Sequence, residues 1–288
     1  MPGFKHILFP VDFSQQNIGI APHVFCLARR YRAKVTLLHA VEISSGSYPG
    51  WPVFEPTIDF TGIAEDRQSR LDAFLRDEFR DLAPARVMRE GDPAFHIREF
   101  AEKEGVDLIM MPTHGYGPYR RFLLGSVTSK VLHDVKCPVW TSAHVPEPPG
   151  APAAYQRVLC ALDYVPESLA LLRWAALLAC EHGAVLKLVH AIPAAAVPGG
   201  LDVEGGRFRS FLFEQARERL AGLQKEAGTT VSTIIQGGEV AGVVREAAEK
   251  EKADLLVIGR GVMRELLGRM RTNVYSIIRE SPCPVISV

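Results

Sequence analysis

The residues best placed to do chemistry lie in two short stretches. Pro10, Val11, Asp12, Phe13 and Ser14 follow one apolar run, and Pro112, Thr113, His114, Gly115, Tyr116 and Gly117 follow another. The second stretch leads into Leu124-Gly125-Ser126-Val127-Thr128, which opens a helical pattern. A glycine loop running into a helix start suits an anion such as phosphate. Backbone N–H groups converge there, and the helix dipole favours negative charge. Gly115 and Gly125 allow close backbone approach, Ser126 and Thr128 bring hydroxyls, and Asp12 can accept from sugar hydroxyls or base amino groups. Each also has a plainer reading: Asp12 as a cap or turn residue, Gly115 and Gly117 as turn glycines, Ser126 as a helix cap.

Other chemistries find less support. No G-x-x-x-x-G-K-[ST] occurs, and no G-x-G-x-x-G follows the first strand, so P-loop hydrolysis and classical dinucleotide binding are disfavoured. Ser14 and His114 form no G-x-S-x-G elbow. The loop Val11-Asp12-Phe13-Ser14-Gln15-Gln16 lacks the H-x-G-H or S-G-G-x-D-S signature of nucleotidyl-transfer enzymes with a related layer structure. His39 and His190 read as buried structural histidines rather than metal ligands. His114 reads as a phosphate or loop-bracing group or as simply exposed; Arg120 and Arg121 read as phosphate guides or as solvated charges. The five cysteines are Cys26, Cys137, Cys160, Cys180 and Cys283. They are odd in number, far apart and without C-x-x-C, which points to small buried side chains in a reducing cytosol.

The elements that must position these loops are written twice. Asp163 follows Asp12 by 151 residues, as His190 follows His39. Gly238 follows Gly91 by 147 residues, as Asp254 follows Asp107, and Cys283 follows Cys137 by 146. Five landmarks in register mark a duplication. A Pro- and Gly-rich stretch at residues 147–154 separates residues 1–146 from 155–288, as a short stiff linker would. In the first half, Ile7 to Val11, Val35 to Val41, Leu108 to Met111 and Val139 to Ser142 read as buried parallel strands, with a weak strand at Arg86 to Arg89. Ile18 to Arg32, capped by Ser14, reads as a helix. Leu71, Phe74, Leu75, Phe79 and Leu82 follow helical spacing, Ala94, Ile97 and Ala101 mark another helix, and Leu123 to Val135 a fourth. The second half repeats the pattern, with Ala216, Leu220 and Leu223 on its second helix and Val240, Val243, Val244 and Ala247 on its third. Five strands alternating with four helices predict two tandem, doubly wound, parallel α/β domains, Rossmann-like in layering. Such sheets bind ligands beyond the carboxyl ends of their strands, where both chemical stretches fall.

Composition is consistent with this. The chain has 288 residues, 47% of them hydrophobic and 23% charged, ordinary for a globular protein. Lys plus Arg and Asp plus Glu each number 33, so the formal net charge is zero. That disfavours a partner such as nucleic acid or an anionic membrane surface. No apolar run approaches the ~18 residues of a spanning helix. The loop Ser44 to Ile63, with Trp51 and Phe54, is long and partly apolar, as a lid or a partner surface would be.

Taken together, Ile7-Leu8-Phe9-Pro10-Val11-Asp12-Phe13-Ser14, Leu37-Leu38-His39-Ala40, Gly91-Asp92-Pro93, Thr113-His114-Gly115, Leu123-Leu124-Gly125-Ser126-Val127-Thr128 and Cys137-Pro138-Val139 resemble the universal stress protein family in its tandem form. The resemblance covers nearly the whole chain and implies an adenine-nucleotide alpha hydrolase-like fold. The family's ATP-binding branch carries G-x-x-G, nine residues, then G-[S/T]. Here Gly115, nine residues and Gly125-Ser126 match, but Pro112 replaces the first glycine, and proline has no N–H to donate. The resemblance implies an ATP site, with or without Mg2+, formed by Pro10, Val11, Asp12, Ala40, Met111, Gly115, Gly125, Ser126, Val127 and Thr128. In the second half Asp163, Gly259, Gly261 and Thr272 take corresponding places, but Arg271 stands where Gly125 does and the loop is one residue short, so a decayed site is the favoured reading. The alternative has Arg260 and Arg271 contacting phosphate by charge. The resemblance further implies a cytoplasmic stress-response protein that binds rather than turns over, with at most very slow ATP hydrolysis. It also implies pairing of the final strands, Val139 to Ser142 with Val285 to Val288, and a homodimer of whole chains.

Overall fold

The computed structural model describes residues 3–41, 60–114, 124–143, 154–193, 203–260 and 269–288, with backbone alone at 60–64, 203–206 and 269–272. Most of the long loop at 44–63, Arg120 and Arg121, and all of the linker at 147–154 except Ala154 lie outside the described residues.

The first half runs β1 (His6–Pro10), α1 (Gln15–Tyr31), β2 (Lys34–Val41), α2 (Phe60–Ala73), β3 (Ala85–Glu90), α3 (Pro93–Lys103), β4 (Leu108–Pro112), α4 (Ser126–Asp134) and β5 (Val139–Ser142). The second runs β6 (Arg157–Ala161), α5 (Ser168–His182), β7 (Val185–Pro193), α6 (Val203–Ala227), β8 (Ser232–Gly238), α7 (Val240–Lys250), β9 (Leu255–Ile258), α8 (Arg269–Glu280) and β10 (Val285–Ser287). Strands β1, β4 and β9 are buried along their whole length, as continuous apolar runs covered by helices on both faces should be. Landmarks of the repeat carry hydrogen bonds that set the strands. The Asp107 carboxylate accepts from the Lys5 and His6 amides, and the Asp254 carboxylate accepts from the Gln156 and Arg157 amides, pinning the start of β1 and of β6. Asp92 and Glu239 cap α3 and α7 by accepting amide hydrogens of the first turn.

The strands form one sheet in the order β3-β2-β1-β4-β5-β10-β9-β6-β7-β8. Every pairing is parallel except β5 with β10, which is antiparallel. Val285 stands opposite Thr141, Ile286 opposite Trp140 and Ser287 opposite Val139. The final strands of the two halves thus pair with each other. Two apolar layers cover the sheet, one under α1, α2, α5 and α6 and one under α3, α4, α7 and α8, and each draws residues from both halves.

Helix boundaries depart from the sequence pattern at two places. The spacing of Leu71 to Leu82 predicts one helix, yet α2 stops at Ala73. Leu75 takes a left-handed conformation at φ 53° and a single 3-10 turn follows at Arg80–Leu82. The Arg86 guanidinium donates to the Leu71 and Phe74 carbonyls, which satisfies acceptors freed where the helix ends. Leu71, Leu75 and Phe79 are still buried, because periodicity reports the face that meets the core and a coil of turns keeps that face inward. Helix α4 begins at Ser126 rather than Leu123. Gly125 is its extended N-cap residue, and the Gly125 amide donates to the Thr113 carbonyl at 2.8 Å.

A buried polar chain accompanies the seam between the halves. The Trp140 indole N–H donates to the Tyr155 hydroxyl at 2.9 Å, and the Tyr155 amide donates to His182 Nδ1 at 3.1 Å. His182 Nε2 lies 3.0 Å from the Tyr31 hydroxyl, which donates to Glu181 Oε2 at 2.8 Å. Because Nδ1 accepts, the neutral tautomer with its proton on Nε2 satisfies every partner, and a second proton on Nδ1 would face an N–H. Burial pushes His182 down to about 4, with the nearby Arg30 charge acting the same way, and burial takes His23, beside Trp140, to about 4 as well. A histidine depressed in the folded state takes up its proton first in the unfolded chain, so folding loses stability as pH falls through the window from 6.5 to about 4. The urea midpoint should drop across that window, and His182→Gln should flatten the drop. A midpoint independent of pH there would contradict the seam chemistry.

Candidate functional site

In each half the chain winds outward in both directions from its first strand. The switch in strand order therefore lies between β1 and β4 and between β6 and β9, and a cleft sits at the carboxyl ends there in both. The first-half cleft holds about 230 Å³. Pro10, Val11 and Asp12 enter it from the end of β1, Ala40 from β2 and Met111 from β4. Gly125, Ser126, Val127 and Thr128 close it from the start of α4. Gly115 lies outside the described residues. Asn17, Leu38, Pro93, Ile97, Pro112 and His114 also border the cleft. Asn17 carries no cue in the sequence, and the repeat places Ser168, a different residue type, 151 residues on.

Asn17 holds the loop after β1. It is buried in the first turn of α1, its Oδ1 accepts from the Asp12 amide at 2.8 Å, and its Nδ2 donates to the Pro10 carbonyl at 3.2 Å. Ser14 caps α1 by accepting from the Asn17 amide, and the exposed Asp12 carboxylate accepts from the Ser14 amide at 2.9 Å. Asp12 therefore shapes the turn as well as facing the cleft. Phe13 is left-handed at φ 64° and lies between the Arg70 guanidinium, 4.8 Å from its ring centre, and His39, at 4.4 Å. His39 Nδ1 lies 2.7 Å from the Val11 carbonyl, and burial lowers its affinity for a proton, so it braces the loop as a neutral donor. The second half repeats the brace: His190 Nδ1 lies 2.7 Å from the Leu162 carbonyl, the Tyr164 ring meets His190 at a tilt, 4.2 Å between centres, and Arg219 sits over Tyr164. Ser168 there donates to the Asp163 carbonyl at 2.7 Å and to its carboxylate at 3.0 Å. Both histidines are structural, and among the described residues no group of three His, Cys, Asp or Glu could hold a metal.

The other wall is the end of β4 against the start of α4. A Cβ on Gly125 would lie 3.3 Å from the Thr113 carbonyl oxygen and 3.5 Å from His114 Cα, so the glycine permits a close loop–helix approach. The Thr128 hydroxyl donates to the Pro112 carbonyl at 3.1 Å and is buried, so it ties α4 to β4 rather than standing ready for a ligand. Ser126 is exposed at the mouth. The first backbone ladder bond of α4 runs from the Ser129 amide to the Gly125 carbonyl, which leaves the amides of Ser126, Val127 and Thr128 ahead of it, directed out of the helix end. His114 is buried, with Nδ1 3.0 Å from the Thr113 hydroxyl; the exposed alternative does not hold.

The second-half cleft is larger, about 430 Å³. Asp163 and Gly259 line it; Gly261 is outside the described residues, as is the side chain of Thr272. Arg260 is not available to phosphate in the way charge alone allows. Its guanidinium donates to the carbonyls of Val135 and Cys137 at 2.8 Å and of Leu132 and Lys136 at 3.3 Å. It thus caps the carboxyl end of α4 across the seam. The side chain of Arg271 is not described.

The sequence profile of the universal stress protein family matches residues 3–142 and, a second time, residues 154–288. The chain belongs to the universal stress protein family. A universal stress protein of Methanocaldococcus jannaschii is 31% identical over 149 residues, which span 47% of this chain and 80% of that protein. A universal stress protein of Thermus aquaticus is 31% identical over 142 residues, 47% of this chain and 96% of that one. Such relatives match one half at a time, whereas the two profile matches make this a tandem universal stress protein. A solved universal stress protein from Archaeoglobus fulgidus shares the fold along nearly all of it, with TM-score 0.66 at 20% identity, covering 98% of this chain and 95% of that chain.

Two substitutions check the site's framework. Asn17→Ala removes a buried staple and should cost about 2 kcal/mol by chemical denaturation; a neutral result would contradict the staple. Arg260→Ala should cost about 2–4 kcal/mol, because it frees several carbonyls at the seam. Stability equal to wild type would mean that the cross-seam cap carries no load.

Proposed function

We propose that this universal stress protein is a regulatory, non-catalytic adenine-nucleotide-binding protein of the stress response, with ATP in the first-half cleft. The observation that carries the reading is convergence. Pro10, Val11, Asp12, Ala40 and Met111 meet the start of α4 in one cleft at the switch between β1 and β4. Apolar Pro10, Val11, Ala40 and Met111 suit the flat base, and the Asp12 carboxylate suits a ribose hydroxyl. The outward amides of Ser126, Val127 and Thr128 suit phosphate at a helix amino end. Mg2+, bound together with the nucleotide, would neutralise phosphate charge. Pro112 supplies no amide. We place the protein in the cytoplasm, in keeping with five free cysteines, and as a homodimer of chains already paired internally.

One observation favours a second reading, an interaction scaffold without nucleotide. Two expected phosphate donors, the Gly125 amide and the Thr128 hydroxyl, are already bonded to Thr113 and Pro112 carbonyls. Thermal melting separates the two. Magnesium-ATP at ~100 times its Kd adds about 2.7 kcal/mol, a rise of roughly 5 °C or more. The rise should vanish in Gly125→Arg and persist in Thr272→Ala. No rise in the parent protein, and no nucleotide released from the purified material, would leave the scaffold. Light scattering on the same samples should give twice the chain mass; a single chain mass would remove the homodimer.

A further inference from the structure

The two clefts occupy the same place on a duplicated fold, so their differences are informative. Counting from the Cys137 and Cys283 landmarks, Gly125 and Ser126 correspond to Arg271 and Thr272, and Val127 and Thr128 to Asn273 and Val274. Helix α4 begins at Ser126, but α8 begins at Arg269, three residues before the corresponding Thr272. The helix ladder of α8 therefore takes up the amides of Asn273 and Val274, where the corresponding amides of α4 point outward. The backbone anion site of the first cleft has no counterpart at that place in the second.

The second cleft offers other chemistry. It is nearly twice as large, and much of its wall is aliphatic, with Ile192 from β7, Leu212 from α6, Val244 from α7 and Ile277 from α8, beside the polar Gln215 and Asn273. At its edge stands Arg219, exposed, over the Tyr164 ring and, among the described residues, in no ion pair. The other charged and titratable groups of the lining are engaged. Asp163 accepts from Ser168, His190 is neutral and bonded to the Leu162 carbonyl, and the Tyr164 hydroxyl donates to the Ala216 carbonyl. Arg260 is spent on α4. A largely aliphatic cavity bordered, among the described residues, by one cation outside any ion pair is complementary to a hydrocarbon chain ending in a carboxylate.

We infer that the second-half cleft binds a single-chain amphiphile with an anionic carboxylate head, its chain among Ile192, Leu212, Val244 and Ile277 and its head on Arg219. This goes beyond the nucleotide reading and does not depend on it.

The test is titration calorimetry of the full chain with decanoate, below its micelle concentration. One site per chain is expected. Decanol, which lacks the charge, should bind more weakly, and Arg219→Gln should lose roughly three- to tenfold for decanoate while changing decanol little. Saturating magnesium-ATP and Gly125→Arg should leave decanoate affinity unchanged. A photoreactive decanoate should label peptides of β7, α6, α7 or α8, a readout that needs no variant to fold. The inference is overturned by absence of decanoate binding, by equal binding to Arg219→Gln, by competition with ATP, or by labelling confined to the first half. Because ATP and decanoate are read separately, failure of one proposal is distinguishable from failure of the other.

Discussion

Three register pairs between β5 and β10 join two five-stranded halves into one sheet. Each of these strands is short and buried, with a ladder edge that would be exposed if the halves stood apart. Antiparallel pairing satisfies both edges at once and puts the halves in a near two-fold arrangement, with α1 near α5 on one face and α4 near α8 on the other. Much else depends on that contact. The Trp140–Tyr155 and Tyr31–His182 links exist only because the halves meet, and Arg260 of the second half reaches the carboxyl end of α4 only across that contact.

The same contact gives α4 two jobs. Its amino end closes the first cleft and its carboxyl end is capped from the other half. Arg260 follows β9 and borders the second cleft, so one side chain lies between the second cleft and the helix that closes the first. Pinning by Asn17 and Ser168, and bracing by His39 and His190, show that the loops after β1 and β6 are held by the same physics in both halves. The divergence is concentrated at the helix starts. Helix α4 begins after Gly125, and the amides of its first turn lie ahead of its own ladder; α8 begins three residues earlier and uses the corresponding amides within itself. Helix onset, more than net charge, separates the backbone that the two clefts present.

The sequence by itself determined the architecture. The duplicated landmarks and the buried apolar runs of β1, β4 and β9 are local signals that tertiary contacts do not reverse. The loops that carry the first cleft were also readable, because parallel sheets place sites beyond strand ends. Tertiary structure alone decided how the donors are spent. Whether the Thr128 hydroxyl faces a ligand or the Pro112 carbonyl, and whether Arg260 meets a phosphate or the end of α4, depends on groups 16 and up to 128 residues away in sequence. The end of α2 at Ala73 was hidden for a related reason: apolar periodicity encodes which face meets the core, and both a helix and a coil of turns can keep Leu71, Leu75 and Phe79 on it. Asn17 was silent because a polar residue in a first helical turn looks solvated until the loop it staples folds over it. Burial and hydrogen-bond partnership are properties of the assembled layers, and no single stretch of chain contains them.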